Sequence, residues 1–97
     1  MTFILTSMAN SSGDLQLRNI DWRPVASEIV RAGIIDDARG QTLAYHLGTE
    51  VTPSEAAAIC EHLTRLVSAN ALPGDIDKKT AELVAKFAGA SSGFDVS

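Results

Sequence analysis

The most reactive side chains of this chain stand side by side as Cys60, Glu61 and His62. A thiol, a carboxylate and an imidazole could together support nucleophilic catalysis or bind a metal. The surrounding pattern predicts a helix, however, and neighbouring residues on a helix point in different directions. Cys60 also falls at the centre of the apolar face, where a cysteine behaves as a small hydrophobe. We therefore expect Cys60 to be a buried structural thiol.

The two histidines, His46 and His62, are expected at the edges of apolar stripes on successive helices. They could approach each other, but two histidines and one cysteine without a tight motif are a weak zinc signal. Patterns such as Gly-x-Ser-x-Gly, Cys-x-x-Cys and His-Glu-x-x-His are absent from the sequence. The sequence therefore predicts no catalytic residue, no metal site and no cofactor. A small enzyme that uses one of the histidines in an unrecognised site is kept as an alternative. Four aspartates that could resemble metal ligands are explained by helix N-capping: Asp36, Asp37, Asp75 and Asp77.

The elements that must position these residues are mostly helices. Thr52 begins a capping box that ends at Glu55, and apolar residues then recur at helical spacing as far as Val67. Residues 2–6 and 15–18 favour two strands, and the turn-forming residues between them favour a hairpin. We expect a mainly α (α+β) fold with about four helices and a short N-terminal β-hairpin. One domain is expected over residues 1–97, divided into a hairpin (1–20), a helical core (21–90) and a tail (91–97).

Local signals place several helix boundaries and surface pairs. Asp21 is expected to cap the first helix, and Gly33 to lie just beyond its end. The second helix is expected to continue across Gly40. Glu28 and Arg31 are three residues apart and are expected to pair on the solvent side of the first helix.

Composition excludes some classes of function. The chain has 97 residues, a formal net charge of −4 and hydrophobic residues at 45%, as in a folded globular protein. Its 8 basic residues are scattered, which argues against nucleic-acid binding. No apolar run approaches the roughly 20 residues of a membrane span. A single cysteine allows no internal disulfide, and cytoplasmic residence is therefore expected.

Residues 41–59 are similar to a helix-turn-helix. Ala44 would be the small residue of the first helix, and Gly48 follows four residues later in the turn. The resemblance implies a DNA-binding regulator, which is the first alternative function. The second helix departs from that family, because its outward residues offer no arginine, lysine, asparagine or glutamine to base edges: Ser54, Glu55, Ala57, Ala58 and Glu61.

A second resemblance joins the helix start Asp21-Trp22-Arg23-Pro24 to the tail Ser92-Gly93-Phe94. This combination looks like small bacterial proteins of unknown function. The resemblance implies a bacterial cytosolic protein and brings no activity with it. It also implies that Trp22 and Phe94 form a pair in the core.

The candidate interaction surface lies on small and aromatic side chains. Ala81, Ala85 and Ala88 are expected as a small-residue stripe opposite the buried face of the fourth helix, open to a partner helix. Tyr45 and the edge of the N-terminal strands are further candidate contacts. By elimination, the sequence predicts a small accessory protein that acts by protein–protein binding or self-association. Immunity, antitoxin and adaptor roles all fit an acidic chain, especially against a basic partner.

Overall fold

The computed structural model describes residues 2–7, 14–45 and 49–96 of the chain. Within these ranges it contains four helices and four strands. Their order along the chain is β1 (Thr2–Ser7), β2 (Asp14–Arg18), α1 (Asn19–Arg31), α2 (Asp37–Tyr45), β3 (Thr49–Val51), α3 (Pro53–Ser68), α4 (Lys78–Ser91) and β4 (Phe94–Val96).

The four strands form one antiparallel sheet in the order β2-β1-β4-β3. The predicted hairpin of β1 and β2 is present, with a register that runs from Thr2 opposite Arg18 to Thr6 opposite Asp14. The expected four helices are present, and the fold is mixed α+β rather than mainly α, because the sheet gains two short strands. One of them, β4, lies inside the segment expected to be a tail, and it pairs with both β1 and β3.

Helix α1 begins earlier than its capping signal suggests. Asn19 is its first residue and Arg18 occupies the N-cap position without a side-chain cap. The Asp21 carboxylate instead pairs with Arg18, whose Nε lies 2.9 Å from Oδ2. At the other end the prediction is confirmed: Gly33 has a φ of 78° just after the C-cap, a conformation that glycine adopts without a steric cost.

Helix α2 is continuous across Gly40, as expected. A Cβ placed on Gly40 would lie 2.2 Å from Cγ2 of Val30 on α1. Glycine has a low intrinsic helix propensity, but at this position it lets α2 approach α1 closely. The packing of the two helices therefore outweighs the low propensity of Gly40. The next helix, α3, starts as predicted, with Thr52 and Glu55 forming a complete capping box.

The core fills the space between one face of the sheet and the helices. Trp22 is fully buried, and its Nε1 donates a 2.9 Å hydrogen bond to the carbonyl oxygen of Leu43 on α2. Phe94 is fully buried too, so both residues expected in the core lie there, and their ring contacts are Trp22 with Phe3 and Phe94 edge-on with Phe87. The buried apolar residues of the sheet are Phe3, Leu5, Leu17, Val51, Phe94 and Val96.

Candidate functional site

A buried carboxylate on α1 accepts hydrogen bonds from an arginine and a histidine. Glu28 is only 3% exposed. Arg31 donates to it through Nε and Nη2, at 2.9 and 3.0 Å. Nε2 of His62, on α3, lies 2.8 Å from Oε2, and since an ionised carboxylate only accepts, the imidazole is the donor. The pair expected on the solvent side of α1 is therefore present, but its carboxylate is buried.

The electrostatics of this cluster keep Glu28 ionised. Burial raises the pKa of the Glu28 carboxyl. The hydrogen bonds and charge interactions with His62 and Arg31 together lower that pKa by a larger amount. The net pKa lies below the ordinary value of 4.5. The sequence offered one signal for this arrangement, which is that Glu28 follows the buried Val25 by three residues and so borders the apolar face.

The Glu28–His62 contact borders two clefts. Glu28 lines a cleft of about 470 Å³ with α1 and the α3–α4 loop, and His62 lines another of about 230 Å³. A histidine oriented by a carboxylate is half of a general-base arrangement. Among the described residues, however, no hydroxyl or thiol hydrogen-bonds to His62. The contact therefore joins α1 to α3.

A second ion cluster protects one edge of the sheet. Arg39 on α2 donates to both carboxylate oxygens of Glu55 through Nη1 and Nη2. Its Nη2 also donates to the backbone carbonyl of Glu50 in the edge strand β3, at 2.6 Å. Glu55 accepts the backbone N–H of Thr52 as well. The pKa of the Glu55 carboxyl lies below its ordinary value, and the hydrogen bond from Arg39 is the largest cause. The cluster ties α2, β3 and α3 together and covers an edge that could otherwise pair.

The outer face of the sheet carries a row of carboxylates, which we call the acidic row: Asp14, Asp95 and Glu50. The strand register places Thr6 between Asp14 on β2 and Asp95 on β4, and Asp95 directly opposite Glu50 on β3. All four side chains are exposed, whereas Phe94 and Val96 on either side of Asp95, and Thr49 and Val51 on either side of Glu50, are buried. Like charges directly opposite each other on adjacent strands destabilise a sheet. The register thus sets two like charges at directly opposite positions of the sheet.

The sequence carried no direct signal for the acidic row. Its three members are far apart in the chain, and two of them lie in strands of only three residues. A three-residue strand is too short to show an alternating pattern. Only the register of the folded sheet brings Asp95 and Glu50 together.

The expected position of the alanine stripe is wrong. Ala81, Ala85 and Ala88 are 0%, 6% and 2% exposed and belong to the hydrophobic core. Leu83 is 47% exposed instead, so the buried face of α4 is rotated from the one expected. Small side chains let α4 pack closely on α3, and a Cβ on Gly89 would lie 2.8 Å from Sγ of Cys60.

The other residues singled out by sequence fall in three places. Cys60 is half-buried rather than fully buried, and it lines an α3–α4 groove of about 480 Å³ with Lys78 and Lys86. Tyr45 is the last residue of α2, but its side chain lies outside the described part, so its role as a contact stays a prediction. His46 lies outside the described residues.

The segment that resembles a helix-turn-helix contains a strand. β3 (Thr49–Val51) lies between α2 and α3 and pairs with β4. In a helix-turn-helix, a turn of three to four residues joins the two helices. The connection between α2 and α3 therefore departs from that motif in structure as well as in surface residues.

Comparison of the chain with protein-family models, with curated protein sequences and with solved structures gave no significant match. Within residues 2–7, 14–45 and 49–96, no group of three or more histidine, cysteine, aspartate or glutamate side chains could hold a metal ion. No helix in the described ranges is long and apolar enough to cross a membrane.

Proposed function

We propose that this chain is a small cytoplasmic accessory protein that binds a basic segment of another protein through the acidic row. The supporting observation is the register that sets Glu50 directly opposite Asp95, with Asp14 in the same row across the sheet. These side chains are exposed on the sheet face opposite the core. Immunity, antitoxin and adaptor proteins act by this kind of binding.

Charge complementarity favours a basic protein segment as the occupant. Adjacent strands lie about 4.8 Å apart, so Asp95 and Glu50 are close enough for one arginine guanidinium to bind both. Asp14 lies two strands from Asp95 and can receive a further lysine or arginine. Phosphates of nucleic acids or lipid headgroups would be repelled by the same carboxylates.

The unfavourable pairing strengthens the case for binding. In the unbound protein, Glu50 and Asp95 repel each other across one strand spacing. A bound cation between them converts this repulsion into two attractions. The gain on binding is therefore larger than the same two carboxylates would give at separate sites. Sites of this kind trade stability for binding.

The test is affinity capture from a lysate of the native host with three forms of the tagged protein. These are the parent, the variant Glu50→Gln/Asp95→Asn, and a control with the same charge change on helices, Glu61→Gln/Glu82→Gln. Glu61 and Glu82 are exposed and lie off the sheet. We expect one basic protein in stoichiometric amounts with the parent and the control, and much less with the sheet variant.

The captured protein is then purified and its affinity measured by calorimetry at several salt concentrations. We expect roughly tenfold weaker binding for the sheet variant, equivalent to about 1.4 kcal/mol, and weaker binding of the parent at high salt. Equal binding by the sheet variant and the control would overturn the proposal. Retention of duplex DNA at low salt by the parent would do the same and would favour the DNA-binding alternative.

A further inference from the structure

Among the residues that the structure describes, no side chain bonds to the backbone of the edge strand β2 (Asp14–Arg18) as Arg39 does on the opposite edge. Strand β2 pairs with β1 on one side only, in an unbroken five-residue register. Proline, lysine and β-bulges are common devices that stop an edge from pairing, and none is present in β2. The edge strand β3, by contrast, has its Glu50 carbonyl bonded by Arg39. One edge of the sheet is thus protected and the other is ready to pair.

The sequence of β2 is complementary to itself in antiparallel orientation. When two copies pair about a twofold axis through Gln16, Asp14 of each copy stands opposite Arg18 of the other. Leu15 of each copy then stands opposite Leu17 of the other. Directly opposite residues lie on the same face of a sheet. Both charge pairs therefore lie on the outer face, and both leucine pairs lie on the core face.

The charges at the two ends of β2 favour pairing with a second copy rather than preventing it. Edge charges of one sign would repel a second copy, but Asp14 and Arg18 have opposite signs and attract in this register. Arg18 is bonded to Asp21 through Nε and Nη2, yet its side chain is 76% exposed. Its guanidinium can therefore receive a second carboxylate from another copy.

Apolar groups at the same edge are incompletely covered within one chain. Leu15 is only partly buried, although it packs against the core cluster. Ile20, two residues beyond the strand, is 72% exposed. Pairing of two edges would cover Leu15 with Leu17 of the second copy and place Ile20 at the rim of the interface.

We propose that two copies of this chain pair through β2 to form a twofold dimer with one continuous eight-stranded antiparallel sheet. The four-stranded sheets are joined in the order β3-β4-β1-β2-β2-β1-β4-β3, and the helices of both copies lie on the same side. This inference goes beyond the proposed function and does not depend on it. Glu50 and Asp95 stay at the distant ends of the joined sheet and remain open to a basic segment, whereas Asp14 pairs with Arg18 of the second copy.

A charge-swap series tests the proposal by sedimentation equilibrium. Asp14→Arg and Arg18→Asp each place like charges opposite each other at both ends of the interface, and each should raise the dimer dissociation constant roughly tenfold. The double variant Asp14→Arg/Arg18→Asp exchanges the two signs and should restore the parent value. Both positions are exposed, and circular dichroism checks that each variant is folded. A parent protein that stays monomeric at millimolar concentration, or a double variant as weak as the single ones, would overturn the dimer.

The register is tested by disulfide cross-linking in a Cys60→Ser background. Only residue 16 meets its own copy at the axis, and opposite Cα atoms in antiparallel pairs are about 4.5–5.5 Å apart, within disulfide range. Gln16→Cys should therefore form a covalent dimer under mild oxidation. Thr6→Cys, exposed on the same face but on the inner strand β1, is the matched control and should stay monomeric. Equal cross-linking of the two would contradict the register.

Discussion

The buried Glu28 carboxylate should stabilise the fold, and replacing it by the isosteric amide tests this directly. Glu28→Gln keeps the shape of the side chain but removes its charge. It also places an NH₂ group where the carboxylate accepted hydrogen bonds from His62 and Arg31. The substitution therefore weakens the link between α1 and α3 without leaving a cavity.

The magnitude follows from the exposure of the two donors. The Arg31 side chain is 73% exposed, so its pair contributes only about 0–1 kcal/mol. His62 is 22% exposed and Glu28 is 3% exposed, and a hydrogen bond to a charged group in such surroundings contributes about 1.5–3 kcal/mol. We expect Glu28→Gln to lower the free energy of unfolding by about 2–3 kcal/mol at neutral pH. In a chain of this length that corresponds to a melting temperature lower by roughly 10–20 °C.

The pH dependence gives the experiment its sharpest readout. The pKa of Glu28 in the folded state lies below its ordinary value of 4.5, so the ionised group stabilises the fold fully above that pH. The stabilisation is lost as the pH falls through the folded-state pKa. The difference between the parent and Glu28→Gln should therefore be constant near neutrality and shrink in acid.

Urea titrations followed by fluorescence of the fully buried Trp22 supply the measurement, because this is the single tryptophan of the chain. Glu61→Gln is the matched control, since Glu61 pairs with Arg65 in an exposed position, and it should change stability by less than about 0.5 kcal/mol. A Glu28→Gln effect as small as the control, or one that does not shrink in acid, would refute the reasoning.

Three further substitutions probe packing, the acidic row and a helix cap. Gly40→Ala should lower the free energy of unfolding by about 1–2 kcal/mol, because its Cβ would lie 2.2 Å from Cγ2 of Val30. In urea titrations, adding Val30→Ala to the same chain should recover most of this loss. A Gly40→Ala variant as stable as the parent would contradict the close packing. Asp95→Asn should raise the free energy of unfolding by about 0.2–1 kcal/mol by removing the charge opposite Glu50; the gain should fade in concentrated salt, and a loss of stability would argue against repulsion. Thr52→Ala removes the oxygen that caps α3 and should cost about 1 kcal/mol in thermal melts; no change would mean that the cap is replaced by solvent.

Local signals in the sequence predicted the local parts of the fold. The capping box at Thr52 and Glu55 and the positive φ of Gly33 both depend on a few adjacent residues. The β1–β2 hairpin is predictable for the same reason, since its strands are neighbours in the chain. Such features are fixed by backbone geometry and short-range hydrogen bonds.

Features that depend on distant pairing could not be predicted from the pattern. Glu28 and His62 are 34 residues apart, and β3 and β4 are strands of three residues each that exist only because they pair in the sheet. The alanine stripe failed for a related reason. Alanine is the best helix former on an exposed surface and also the residue that lets helices pack closely. Only the position of α3 shows that Ala81, Ala85 and Ala88 serve the second role.

The insertion of β4 between β1 and β3 has a consequence for the order of folding. Its pairing of Leu5 with Val96 joins residues from almost opposite ends of the described chain, whereas α3 and α4 are neighbours in sequence. Closing so long a loop is costly before other contacts exist. We therefore expect the α3–α4 pair and the β1–β2 hairpin to form early, and β4 to pair with β1 and β3 late. Asp95 comes to lie opposite Glu50 only when β4 has paired with β3. A partly folded chain therefore lacks the complete acidic row. A partner that recognises the acidic row would bind only fully folded molecules.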